Sequence, residues 1–185
     1  MTTLKPITSG AQVFDSYGKK CNSKFLLHYG FTIESNREAD GICQNELQLN
    51  FELSPDDPLF TAKRAFINAR MQFSVTMNAP DDSTMECLNY LRVREATQEE
   101  LAGIRSRFKR RGPLSVENEI RTFRALAQAA EAQLARYPTT LEEDDEMLEN
   151  GGLDPFSNRR HAVIVIRGEK EICHFFIRLC TVRGG

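Results

Sequence analysis

The chain has 185 residues, with 24 Lys and Arg against 26 Asp and Glu, and is 41% hydrophobic and 27% charged, the make-up of an ordinary globular protein. That balance excludes a globally basic nucleic-acid binder and an acidic solvating tail. No apolar run approaches the roughly 20 residues that a membrane helix needs, and Met1 to Pro6 lacks the apolar stretch of a secretory signal. Five scattered cysteines, Cys21, Cys43, Cys87, Cys173 and Cys180, form no CxxC pair and have no histidine at ligand spacing. They read as free thiols in a reducing, intracellular compartment, cytoplasmic or nuclear, with no metal site.

In chain order, Gln12 to Asp15 is short and β-prone, flanked by Gly10 and by Tyr17-Gly18, and predicts a strand. Asn22 can cap a short helix over residues 23–29, which Gly30 ends. From Glu46 to Leu53 the pattern alternates, with Leu47, Leu49, Phe51 and Leu53 on one side, as in a half-buried strand. Met71 to Met77 repeats that period. Between them Ser54-Pro55-Asp56-Asp57-Pro58 opens an expected helix to about Ala69, so that two strands and one helix form a small β platform.

From Asp82 onward the pattern turns helical. Asp82 or Ser83 can cap a helix carrying Met85, Leu88, Leu91 and Val93. Thr97 with Glu100 is a capping box for the next helix, expected over residues 97–108. Ser115 starts what reads as the longest helix, with an apolar stripe of Val116, Ile120, Phe123, Ala127, Ala130, Leu134 and Tyr137. Thr140 with Glu143 is a second capping box, for a helix that Gly151 ends, and Ser157 caps a last helix. The fold class is therefore mainly α with a small β part.

Classical catalytic patterns are missing: there is no P-loop, dinucleotide fingerprint, GxSxG or HExxH. His28, His161 and His174 are far apart and read as surface or packing residues. Arg105, Arg107, Lys109, Arg110 and Arg111 form a basic run, and Glu142 to Glu146, continued by Glu149, an acidic one. Both read first as solvated helix faces; the functional alternative is charge-steered docking of a protein. Apart from Phe108 no aromatic residue interleaves with the basic run, which argues against nucleic acid.

One stretch carries more. From Tyr17 to Phe31 the chain reads YGxKxNxxxLxxYGF, which resembles the last core motif of SET-domain methyltransferases, in the branch of the Rubisco large-subunit lysine methyltransferase and the actin-histidine methyltransferase. Thr139-Thr140-Leu141-Glu142-Glu143-Asp144, followed by Gly168-Glu169-Lys170, is similar to the closing signature of that family's helical substrate-binding domain. The Asn118-Glu119 pair also fits, and a few extra residues fall around Asp154 to Asn158.

The resemblance implies a C-terminal SET segment over residues 1–36, followed by a helical substrate-binding domain over 37–185. It implies S-adenosylmethionine as cofactor and a protein substrate methylated on lysine or, second, on histidine, with no nucleic acid or membrane as partner. Carried over, Tyr17 is the catalytic tyrosine beside the target nitrogen, Tyr29 lies near the substrate side chain, and Phe31 packs on the cofactor adenine. The family's glycine-rich cofactor loop and Asn-His segment have no counterpart here. The expectation is a partner SET half lying upstream of Met1, and no activity from this chain alone. The alternatives are a non-catalytic protein-interaction module of the same descent, or an unrelated helical adaptor. The adaptor would pack Val13 and Phe14 in an ordinary strand, whereas the other two would leave an exposed apolar edge within residues 1–36.

Overall fold

A computed structural model describes residues 6–78, 81–104 and 112–182. The helix α1 (Asn22–Tyr29) comes first, and Gly30, at φ 76°, turns the chain out of it. Strands β1 (Leu47–Glu52) and β2 (Arg70–Val75) pair antiparallel, Leu47 opposite Val75 and Glu52 opposite Arg70. The alternation in β1 is realised residue by residue, burying Leu47, Leu49 and Phe51 and exposing Gln48, Asn50 and Glu52. Between the strands only α2 (Phe60–Arg64) forms, five residues rather than the long helix expected. The turn-forming Ser54 to Pro58 takes up the first part of that span, with the Asp57 amide bonded to the Ser54 carbonyl and the Leu59 amide to the Asp57 carboxylate.

The rest is helical: α3 (Asp82–Arg94), α4 (Gln98–Ile104), α5 (Val116–Leu134), α6 (Leu141–Glu149) and α7 (Asn158–Val182). Both capping boxes form as read. The Glu100 carboxylate accepts from the Thr97 amide at 2.8 Å, and the Glu143 carboxylate from the Thr140 amide at 2.7 Å. Ser115 caps α5 and Ser157 caps α7. The cap of α3 is Asp81, just before the two expected candidates Asp82 and Ser83, accepting from the Thr84 amide. Asn150, not Gly151, closes α6. The longest helix is α7, with 25 residues against 19 in α5.

The expected stripe of α5 overlaps the buried face without coinciding with it. Ala127 and Ala130 are buried as expected, and Phe123 and Leu134 pack against the core. Val116 is 72% exposed and Ile120 is exposed too, while Asn118, Thr122, Ala125 and Leu126 also face inward. Polar Asn118 and Thr122 break the apolar pattern, which hid the true inner face. The core lies where α3, α5 and α7 cover the sheet, with Leu126, Ala130, Ile172, Cys173 and Phe176 against Leu47, Leu49, Phe51, Phe73 and Val75. A second cluster gathers Val93, Ala96, Leu101 and Ile104. The basic run at residues 105–111 lies outside the described residues. Among the described residues no helix is long and apolar enough to cross a membrane.

Candidate functional site

Two glycine turns build the site. Gly18, at φ 73°, precedes a bend at Lys19 ahead of α1, and Gly30, at φ 76°, turns the chain out of α1, a left-handed conformation that glycine takes without the penalty of a side chain. Tyr17 and Phe31, fourteen positions apart, are thereby brought to one place. The Tyr17 ring lies edge-on to Tyr29 at 4.8 Å between centroids and to Phe31 at 5.3 Å, within the range of favourable aromatic pairing. The sequence-expected residues Tyr17, Tyr29 and Phe31 thus form one cluster.

Phe25, which the sequence reading passed over, is its floor. It is 3% exposed and stacks on Phe31 at 5.0 Å. The available signal was its spacing, one helical turn before Tyr29 on the same face. The Lys20 ammonium sits 5.7 Å from the centroid of the Tyr29 ring and donates to the Tyr17 carbonyl. Tyr17 is 57% exposed and Tyr29 45%, so the cluster opens outward.

Asn22 is not a helix cap. The cap position belongs to Cys21, and Asn22 is buried as the first residue of α1. Its side chain grips Ile33 at both backbone groups, each at 2.8 Å. The region before Tyr17 forms no strand: Gln12 to Asp15 is irregular, with Val13 63% and Phe14 81% exposed. Ile7, Leu27 and Ile33 are exposed as well.

Beyond Phe31 the segment is fastened to the first turn of α7. The Thr32 hydroxyl meets the His161 Nδ1 at 2.9 Å, and Arg160 pairs with Glu34 at 2.8 Å. His161 is therefore a buried packing residue, as the sequence suggested. Within the acidic run, two carboxylates do not sit on a merely solvated face. Asp144 is buried and holds Lys170 at 2.5 Å, and Asp145 pairs with Arg167. Lys170 also donates to the Thr139 hydroxyl and to the Thr140 carbonyl, so the two halves of the C-terminal signature bind each other. Burial raises the Glu169 carboxyl above its ordinary value, against the hydrogen bond from the Tyr137 hydroxyl. None of the five cysteines is in a disulfide, and burial pushes the Cys87 and Cys173 thiols up to about 12. Among the described residues no group of His, Cys, Asp or Glu could hold a metal ion.

The family profile described as "Rubisco LSMT substrate-binding" matches residues 54–172, more than half of the chain. The chain belongs to that family. Across nearly its full length, Rubisco LSMT substrate-binding domain included, it resembles SET-type methyltransferases. Actin-histidine N-methyltransferase of Homo sapiens is 29% identical over 195 residues, covering 97% of this chain and 31% of the relative. That of Canis lupus familiaris is 31% identical over 185 residues, covering 91% and 30%. The solved structure of Rubisco LSMT bound to sinefungin and monomethyllysine superposes with a TM-score of 0.70 at 25% identity, covering 96% of this chain and 42% of that one. The SET domain of LSMT bound to lysine and AdoHcy gives 0.70 as well. The chain thus spans less than a third of the length of the two curated relatives. The likeness read from Tyr17–Phe31 and from the C-terminal signature holds.

Proposed function

We propose that this chain is the C-terminal part of an S-adenosylmethionine-dependent protein methyltransferase that modifies lysine or, second, histidine. Residues 1–36 contribute one wall of the methyl-transfer site, and residues 37–185 hold the protein substrate. The observation that carries this reading is the outward-facing Tyr17, Tyr29 and Phe31 cluster, on the segment where the sequence resembles the SET core. The exposed Val13, Phe14 and Leu27 beside it support a covering partner, a SET half bearing the cofactor loop. The same exposure speaks against an ordinary adaptor strand. Five cysteines outside any disulfide suit a reducing, intracellular compartment, cytoplasmic or nuclear.

In this reading Tyr17 is the catalytic residue. Its phenol oxygen can accept from, or donate to, the incoming nitrogen and so orient its lone pair, and such positioning is a main lever for methyl transfer. Tyr29 lines the path of the substrate side chain. Phe31 would hold the cofactor: Phe25 stacks on it while part of its surface stays open, which fits an adenine packing there. When bound, S-adenosylmethionine supplies an electrophilic methyl group on a sulfonium.

The test measures transfer of labelled methyl from S-adenosylmethionine to actin and to the Rubisco large subunit. It compares the chain alone with the chain extended by the coding sequence upstream of Met1. The expected result is transfer by the extended protein only, abolished by Tyr17→Phe. Micromolar binding of S-adenosylmethionine to the chain alone, seen by titration calorimetry, would overturn the shared-site arrangement. An extended protein that binds actin or the Rubisco large subunit tightly yet methylates neither would point instead to a non-catalytic interaction module.

A further inference from the structure

We propose that Asn22 is a positioning residue for the aromatic cluster, a role that rests on reading that cluster as a methyl-transfer wall. Its side chain fixes where Phe31 stands relative to the Tyr17 and Tyr29 rings. The Asn22 Oδ1 accepts from the Ile33 amide and its Nδ2 donates to the Ile33 carbonyl, both at 2.8 Å. A single side-chain amide thereby pairs with both backbone groups of a residue eleven positions on, which requires a donor and an acceptor side by side. Phe31 is two residues before that grip.

The other end of the cluster is held by the same lattice. The Asn22 amide donates to the Asn45 Oδ1 at 3.2 Å, and that oxygen also accepts from the Asn36 Nδ2 at 2.9 Å. The Asn36 Nδ2 in turn donates to the Lys20 carbonyl at 3.0 Å, three residues after Tyr17. Asn36 adopts φ 43°, a left-handed conformation that asparagine tolerates better than most residues. The lattice rests on α7: a Cβ at Gly168 would stand 2.6 Å from the Asn45 Nδ2. All three asparagines are buried, whereas Tyr17 and Tyr29 are exposed. The exposed rings therefore take their spacing from polar pairs behind them, and a misplacement of about 1 Å is enough to spoil a transfer geometry.

The test uses the chain itself, independently of any methyl transfer. NMR would follow the ring-to-ring cross-peaks of Tyr17 with Tyr29 and Phe31, together with hydrogen exchange of the Ile33 amide. In Asn22→Asp the second carboxylate oxygen faces the Ile33 carbonyl with no hydrogen to donate. The expected result is loss of the ring cross-peaks and exchange at Ile33 faster by about tenfold or more, with cross-peaks between α5 and α7 kept. Leu126→Ala, which weakens the distant core, is expected to keep the ring cross-peaks. Should Asn22→Asp not fold, Asn22→Ser, whose single hydroxyl cannot bond both Ile33 backbone groups in the same way, is read by the same criteria. Ring cross-peaks that persist in the asparagine variant would overturn the proposal. So would their equal loss in Leu126→Ala, which would make the effect one of global stability. If methyl transfer is never found while the cross-peaks vanish as expected, the positioning role stands and the functional reading falls.

Discussion

The segment around Tyr17 and the helical half around Lys170 treat polar and apolar groups in opposite ways. From Ala11 to Lys19 every residue is exposed, Val13, Phe14 and Tyr17 among them, and the hydrogen bonds there are local, such as the Gly18 amide to the Ser16 hydroxyl. In the helical half charges go inside. Lys170 meets Asp144, Arg92 lies bidentate on Glu119 at 2.6 and 2.8 Å, and Lys63 reaches Asp57 and the Arg94 carbonyl. Buried charge is tolerated only where partners are already in place. Apolar rings left outside, by contrast, mark a surface suited to being covered. One region is held by interactions it completes itself; the other presents a face.

The sharpest way to break that comparison is Lys170→Met, which strands the Asp144 carboxylate in the interior. A loss of about 3–5 kcal/mol is expected from urea unfolding, largely recovered by adding Asp144→Leu. A loss below about 1 kcal/mol would mean that the pair is not truly shut away. Gly168→Ala probes the seam between the regions, since its Cβ would meet the Asn45 side chain at 2.6 Å. A cost of about 1–3 kcal/mol is expected, with the Tyr17 to Phe31 ring contacts disturbed before the helical core. No change in those contacts would separate the seam from the cluster.

Acid sharpens the contrast more gently. Burial alone would raise the Glu100 carboxyl, but bonds from the Ser115 hydroxyl, the Thr97 amide and Arg121 hold it below its ordinary 4.5. A carboxyl lowered in the folded state gives stability that is present above the ordinary value and lost as pH falls through the folded one. Glu100→Gln should therefore flatten the loss of stability below about pH 4.5, followed by chemical denaturation at stepped pH. An unchanged slope would assign that loss to other carboxylates. The smallest effect belongs to the exposed face. Phe14→Ser should shift stability by less than about 0.5 kcal/mol while reducing self-association in sedimentation. A large destabilisation would mean that Phe14 packs within this chain after all.

The sequence was most readable where one local rule decided the outcome. The period of two in Leu47 to Leu53, the boxes at Thr97 and Thr140, and the stop at Gly30 each depend on neighbours a few positions away. The aromatic members of the cluster were legible through the spacing of Tyr17, Tyr29 and Phe31 in a known motif. Phe25 and Asn22 were not, because a half-apolar helix offers several candidate inner positions and an asparagine before a helix ordinarily caps it. The strand expected at Gln12 to Asp15 failed for a related reason: β-prone residues form a strand only against a partner.

By itself, then, the sequence determined the helical character, the strand alternation and the caps, all consequences of short-range spacing, while the aromatic trio was legible only through its resemblance to a known family motif. Only the tertiary structure decided which face of α5 turns inward, that Asp144 and Lys170 are buried against each other, and that Asn22 grips Ile33. Those outcomes join residues 26 or 11 positions apart. Which partners meet over such distances follows from how the helices pack on the sheet, a long-range result that no local pattern encodes.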